Sequence, residues 1–265
     1  MRIGFIGVGR MGGPMVARLV HAGHEVRALG RTAEKRCAVA ELGATATSDA
    51  SEAAAAADVV VICVFTDSQV QEVCLDSDLL AAMPSGSALV VHTTASPATI
   101  EAIAARAAPH GVAVADAPVS GGPHDAAAGS LTLFVGGFDD TVAGLRPVLG
   151  CYGDPVLHVG PIGAGQKVKL VNNALFAAQI GLLAESVELG TRLGVRESVL
   201  LTALPHGSAA SRVLSIVAAS GSVTSFIGAV REFVGKDVAV VRTVAAELGS
   251  DLGLLDGVID AAVKG

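Results

Sequence analysis

A chain of 265 residues, 51% of them hydrophobic, is long enough for one large domain or two modest ones and can build a sizeable core. Ala, Val, Leu and Gly carry that fraction, aromatics reach only 3% and Trp is absent, which favours closely packed helices and strands over a β-sandwich. A net charge of -7, with no extended run of Lys or Arg, excludes the basic face that nucleic-acid backbone binding requires.

Met1 passes directly to Arg2 and then into an apolar strand and a glycine turn. That leaves no room for a secretory signal, and a cytoplasmic protein is expected. Up to about residue 160, short apolar runs alternate with Ala-rich stretches. The strands are expected at Arg2 to Ile6, Glu25 to Leu29, Val59 to Val64, Ala88 to His92 and Val112 to Asp116. Helices are expected at Met11 to Ala22, Ala33 to Leu42, Ser68 to Met83 and Pro97 to Ala108. A hairpin-like end is expected from Leu131 to Gly136 and Val156 to Val159. This βαβ rhythm predicts an open, mostly parallel sheet with helices on both faces, a doubly wound Rossmann domain over residues 1–161.

Beyond the Gly160, Gly163 and Gly165 cluster the period becomes helical, with stretches at Gln166 to Leu193, Glu197 to Ala203, Ala209 to Ala218, Phe226 to Leu248 and Leu254 to Lys264. Residues 162–265 therefore read as an all-α domain for substrate binding and oligomerisation. Its long first helix is apolar around most of its circumference, so it is either wedged between domains or buried against a second subunit, and a homodimer or homotetramer is predicted. Gly, Asp, Pro or Arg interrupts the apolar runs before membrane-spanning length, so no transmembrane helix is expected. Cys37, Cys63, Cys74 and Cys151 form no CxxC pair and have no nearby His at zinc spacing; they read as incidental thiols, and no metal is expected.

The first strand runs into Gly7-Val8-Gly9-Arg10-Met11-Gly12, a G-x-G-x-x-G turn that opens a helix. Gly7 permits the tight turn, Gly9 the approach of a pyrophosphate and Gly12 close packing, while the helix N-terminus supplies free N–H groups and positive dipole. A dinucleotide is the expected cofactor. The second strand ends in Leu29-Gly30-Arg31-Thr32, with no carboxylate to hold a ribose 2′-hydroxyl. Arg31 can pair with a 2′-phosphate and Thr32 can add a hydroxyl, so NADP is preferred over NAD. Val64, Phe65 and Thr66 end a further strand at the carboxyl edge, and Thr94 ends the next, where ligands lie in such sheets. Asp67 and Ser68 are alternatively caps for the following helix.

Asp116 to Pro123 follows a strand and opens a helix. Ser120 and the N–H groups of Gly121 and Gly122 are candidates to hold a substrate carboxylate, or Ser120 simply caps that helix. Later, Gly163 to Asn173 opens the long helix with Lys169 and Asn173 four residues apart, hence on one face.

These motifs, with Gly129-Ser130-Leu131 and Lys236-Asp237, resemble the β-hydroxyacid dehydrogenases, the family of 3-hydroxyisobutyrate dehydrogenase and glyoxylate/succinic semialdehyde reductase, over nearly the whole chain. The resemblance implies hydride transfer between NADP or NAD and a small carboxylate-bearing β-hydroxy acid or semialdehyde. It implies Lys169 as the catalytic lysine, Ser120, Gly121, Gly122 and Asn173 on the substrate, Thr94 by the nicotinamide and Lys236 reaching the cofactor. The chain departs from the family at Val91-His92-Thr93-Thr94, where an Asp-Met-Ser-Thr-like stretch is usual, and carries Pro205-His206-Gly207-Ser208 where substrate side chains are expected. Competing readings are an NADPH-dependent imine reductase, against which Lys169 argues, and a non-catalytic dinucleotide-binding regulator.

Overall fold

The computed structural model describes residues 1–264, with side chains described through residue 261. Chain contacts divide it into two compact units, Met1–Lys169 and the residues from Leu170 onward.

The first unit runs β1 (Arg2–Ile6), α1 (Gly12–His21), β2 (Glu25–Leu29), α2 (Ala33–Glu41), β3 (Thr45–Thr47), α3 (Ala50–Ala54), β4 (Val59–Ile62), α4 (Asp67–Cys74), α5 (Leu79–Ala82), β5 (Ala88–Val91), α6 (Pro97–Ala107), β6 (Ala113–Asp116), β7 (Val119–Ser120), α7 (Pro123–Ala128), β8 (Leu131–Gly136), α8 (Asp139–Leu149) and β9 (Gly153–Gly160). The sheet order is β3-β2-β1-β4-β5-β6-β8-β7, with β9 added beside β8. The strands β1 to β6 pair in parallel, and β8 meets β6 and β7 antiparallel.

The two-residue period of a strand explains the layering. Ile3, Phe5, Val59, Val61, Val90 and Ala115 feed one core with α1, α2 and α8; Ile6, Val60, Ile62, Leu89, Val91 and Val114 feed the other with α4, α5 and α6. The strands are thus buried on both faces and read as continuous apolar runs, as a parallel sheet requires.

Three expectations change. The Leu131–Gly136 and Val156–Val159 segments are not a hairpin: β8 and β9 are parallel, because α8 occupies the intervening residues and carries the chain back to the same end of the sheet. The helix expected over Ser68 to Met83 is two helices, broken at Asp76-Ser77-Asp78, where the Ser77 hydroxyl donates to the Val73 carbonyl at 2.6 Å and accepts from Leu79 N–H at 3.2 Å. The third is only the ground on which no membrane helix was expected: α9 (Ala164–Arg192) is long and apolar enough to cross a membrane by length and composition, a property that the core helix of a globular protein shares, and 44% of its most apolar stretch is buried inside the protein.

The helix α9 leads from the first unit into the second, which continues with α10 (Glu197–Ala203), α11 (Arg212–Ser220), α12 (Val223–Glu247) and α13 (Leu254–Lys264). Its core joins Leu170, Ala174, Ala177 and Ile180 of α9 to Val213 and Val217 of α11 and to Phe226, Val234 and Val238 of α12.

Candidate active site

In an open sheet of this winding, ligands lie at the carboxyl ends of the strands where the order reverses, here between β1 and β4. The Gly7–Gly12 turn leaves β1 at that point. Gly7 has φ +108°, a conformation that favours glycine, and a Cβ there would collide with the Cys63 carbonyl; one at Gly12 would run into the Gly7 carbonyl. A Cβ at Gly9, by contrast, would meet nothing within 4 Å. The N-cap of α1 is Met11, whose side chain makes no capping bond, whereas Thr32, Thr66 and Ser96 cap α2, α4 and α6 with their own oxygens. An open glycine and an uncapped ten-residue helix fit a dinucleotide pyrophosphate.

At the end of β2, Arg31 is exposed and the Thr32 hydroxyl accepts from Lys35 N–H at 3.2 Å. Sequence reasoning missed Arg36, whose Nη1 donates to the Gly30 carbonyl at 3.1 Å and whose Cγ lies 2.7 Å from where a Gly30 Cβ would stand. The missing side chain at residue 30 therefore makes room for the backbone and stem of Arg36, whose guanidinium is the second one at the end of β2. At the end of β4, Val64 accepts from the Thr93 hydroxyl at 2.8 Å, Phe65 is part-exposed, and Thr66 forms a reciprocal capping box with Gln69. The cap is thus Thr66, not Asp67 or Ser68. Asp67 instead accepts from Gln71 Nε2 and the Thr99 hydroxyl, both at 3.1 Å.

His92 is fully buried at the end of β5. Its Nδ1 lies 2.6 Å from the Ala117 carbonyl and its Nε2 2.8 Å from the Tyr152 hydroxyl; desolvation pushes its pKa down to about 4, so the ring is neutral. Thr94 follows, 7% exposed. On either side of it, Gln166 of α9 donates from Nε2 to the Thr93 carbonyl at 2.9 Å and accepts at Oε1 from Ala95 N–H at 3.0 Å. Asp116, ending β6, is wholly buried and accepts at 2.7 Å from the N–H groups of both Gly163 and Gln166. Burial raises its pKa against the opposing pull of those bonds.

Ser120 sits in β7 opposite Thr132, and its hydroxyl is committed to no partner among the described residues. Gly121 has φ +127°. The N–H of Gly122 donates to the Asp125 carboxylate at 2.7 Å, so Asp125 satisfies the start of α7, a task the sequence offered to Ser120. That bond leaves Ser120 and Gly121 as the more available anion donors.

Lys169 is nine-tenths buried on α9, one turn after Gln166. Within the helical unit, the Asn173 amide donates to Asp237 Oδ2 at 2.8 Å and accepts at Oδ1 from Asn172 at 3.2 Å. Lys236 Nζ lies 2.9 Å from Asp237 Oδ1, an ion pair by distance, although among the described residues that buried oxygen receives no directed hydrogen bond. Asp237 thus joins two residues expected to serve the site. His206 lies on an exposed turn. All four cysteines are free, and no cluster of His, Cys, Asp and Glu suited to a metal occurs among the described residues.

Comparison with known proteins bears on both halves of the chain. The profile of the NAD-binding domain of 6-phosphogluconate dehydrogenase matches residues 2–160, and that of the NAD-binding region of NADP-dependent 3-hydroxyisobutyrate dehydrogenase matches residues 163–261. An NAD-dependent L-serine dehydrogenase from Pseudomonas aeruginosa is 33% identical over 99% of this chain and 87% of its own length. A 3-hydroxyisobutyrate dehydrogenase from the same organism is 35% identical over 81% of this chain and 72% of its own. The solved structure of Mycobacterium tuberculosis 3-hydroxyisobutyrate dehydrogenase with L-serine superposes with a TM-score of 0.90 at 31% identity, covering 99% of this chain and 92% of that one. Imine reductases from Streptomyces aurantiacus and a Pseudomonas species share the fold at 20% and 21% identity. The glycine turn, the buried lysine and matches along both halves have one reading: the chain belongs to the β-hydroxyacid dehydrogenase family and is an NAD(P)-dependent oxidoreductase.

Proposed function

We propose that this enzyme interconverts a small β-hydroxy acid and its semialdehyde, with Lys169 as the proton donor and acceptor. The observation that carries the proposal is the burial of Lys169 one helical turn from Gln166, whose amide grips the backbone on both sides of Thr94. The bound nicotinamide supplies the hydride acceptor or donor. The chain moves the proton: an ammonium at Lys169 gives it to the carbonyl oxygen during reduction, and the neutral amine takes it from the hydroxyl during oxidation. Ser120 and the Gly121 N–H hold the carboxylate, Gly122 shapes the turn with its own N–H given to Asp125, Asn173 orients the hydroxyl, and Lys236 serves the cofactor. Relatives named for L-serine and 3-hydroxyisobutyrate support a substrate of that size and class.

On this reading Gly7, Val8, Gly9, Arg10, Met11 and Gly12 cradle the pyrophosphate, while Val64, Phe65, Thr66 and Thr94 line the cofactor. Arg31, Thr32 and Arg36 favour NADP, since the end of β2 offers two guanidiniums and no carboxylate. Residues 1–161 form the dinucleotide domain and 162–265 the substrate and oligomerisation domain, in a cytoplasmic homodimer or homotetramer.

The test is turnover of NADP and NAD at alkaline pH with 3-hydroxyisobutyrate, L-serine, glycerate, 3-hydroxypropionate and 4-hydroxybutyrate. At least one is expected to react. Lys169→Ala is expected to lose roughly 10²- to 10⁴-fold in kcat while still binding cofactor. Silence across the panel with cofactor bound moves the assignment to imine reduction or to a non-catalytic role, and an undiminished Lys169→Ala removes the lysine from the mechanism.

A further inference from the structure

We propose that Gln166, held by Asp116, is a positioning residue that sets Lys169 against the Thr93–Ala95 segment. The inference rests on the role given to Lys169 above.

Gln166 is completely buried, and both ends of its amide are used. Its oxygen needs a donor and finds Ala95 N–H; its nitrogen needs an acceptor and finds the Thr93 carbonyl. The pairing has one polarity, so the side chain has one orientation. The two partners flank Thr94, and the Thr93 hydroxyl is itself tied to the Val64 carbonyl. One glutamine therefore registers α9 against the loop that ends β5, and through it against the end of β4.

Asp116 fixes the other side of the same residue. Its two oxygens take the N–H groups of Gly163 and Gln166, which at a helix start have no intrahelical acceptor, and its negative charge opposes the positive end of α9. The approach is close: a Cβ at Gly165 would stand 2.8 Å from Asp116 Oδ2, and one at Gly136 would run into Oδ1. Gly136, Gly165 and the buried carboxylate make one assembly in which the first turn of α9 has little freedom. Lys169 is three residues beyond Gln166, on the same face and about 4.5 Å further along the axis. Whatever shifts Gln166 shifts the ammonium with it.

The variants are Gln166→Glu, which keeps the shape but loses the donor to Thr93, Gln166→Met, which keeps the length without polarity, and Asp116→Asn, which turns one acceptor into a donor. Each is compared with the wild type and Lys169→Ala in kcat, KM, the pH profile of kcat, cofactor Kd and thermal midpoint. Any Gln166 variant that folds is expected to lose about 100-fold in kcat, as a displacement near 1 Å at a reacting group does. The apparent pKa of the kcat profile is expected to move, with cofactor Kd within about two-fold of wild type. Gln166→Met guards against a Glu variant that does not fold. A folded Gln166 variant with wild-type kcat and pH profile, whatever its thermal midpoint, overturns the positioning role. If Lys169→Ala is inactive in that same comparison, the lysine assignment stands without it; if Lys169→Ala is as active as wild type, that assignment is the one that fails.

Discussion

His92 follows an apolar strand, and the structure makes it part of the core by pairing both ring nitrogens, one with the Ala117 carbonyl and the other with Tyr152. The imidazole and phenol rings meet edge to face at 5.5 Å. A folded-state pKa of about 4, against 6.5 in the unfolded chain, means that the unfolded state takes up a proton first as pH falls. The stabilisation is complete above pH 6.5 and is lost progressively down to pH 4. Urea unfolding is expected to lose about 2 kcal/mol from this group between pH 7 and pH 5. His92→Leu is expected to be less stable at pH 7, since it orphans the Tyr152 hydroxyl and the Ala117 carbonyl, and to show a flatter pH dependence. An unchanged slope would remove His92 as its source. At the other edge, Arg31→Glu is expected to raise the KM for NADP by roughly 10- to 100-fold and to leave that for NAD within a few fold, because a carboxylate repels a 2′-phosphate and suits a ribose hydroxyl. Equal effects on both cofactors would place the 2′-phosphate elsewhere. The positions of Arg31 and Lys169 could be read from strand ends and helical spacing. Arg36 could not, because its bond to Gly30 depends on how the chain turns between β2 and α2.

At the scale of elements, β1 to β6 followed from apolar runs bounded by turn residues, but β3 and α8 gave weak signals. β3 has three residues, and α8 carries Pro147 in its interior. Missing α8 turned a parallel pair into an expected hairpin. Glycines inside helices are a second case where pattern and packing part. Gly181, in the middle of α9, reads as a defect costing about 1 kcal/mol relative to alanine. A Cβ there would run into the Val258 carbonyl of α13, so the glycine is where the two backbones approach. Gly181→Ala is therefore expected to lower stability by about 1–3 kcal/mol, whereas Gly13→Ala, whose Cβ would meet nothing within 4 Å, is expected to be neutral or stabilising by up to about 1 kcal/mol. Thermal melts of the two variants decide the matter; a stabilised Gly181→Ala would deny the close approach.

For the whole molecule, α9 presents two apolar faces. One is packed in the helical core; the other carries Val171, Leu175, Leu182 and Leu189, each 51–70% exposed and spaced by four and seven residues, the repeat of a helical interface. A second copy of the chain is the occupant we propose. Sedimentation at micromolar concentration is expected to show a dimer or tetramer, and Leu182→Glu combined with Leu189→Glu to shift it toward monomer; a monomeric wild type would refute the proposal. The sequence by itself determined the doubly wound sheet, the helical second half, the glycine turn and the placing of Lys169 and Asn173 on one helix, because each rests on local periodicity or on spacing within one element. Tertiary structure alone decided that Asp116 and Gln166 secure the start of α9, that Asp237 joins Asn173 to Lys236, and that His92 meets Tyr152. Those contacts join residues 47 to 73 positions apart, except for the neighbours Lys236 and Asp237, and no local pattern encodes which buried donor will face which acceptor until the strands have set the helices around them.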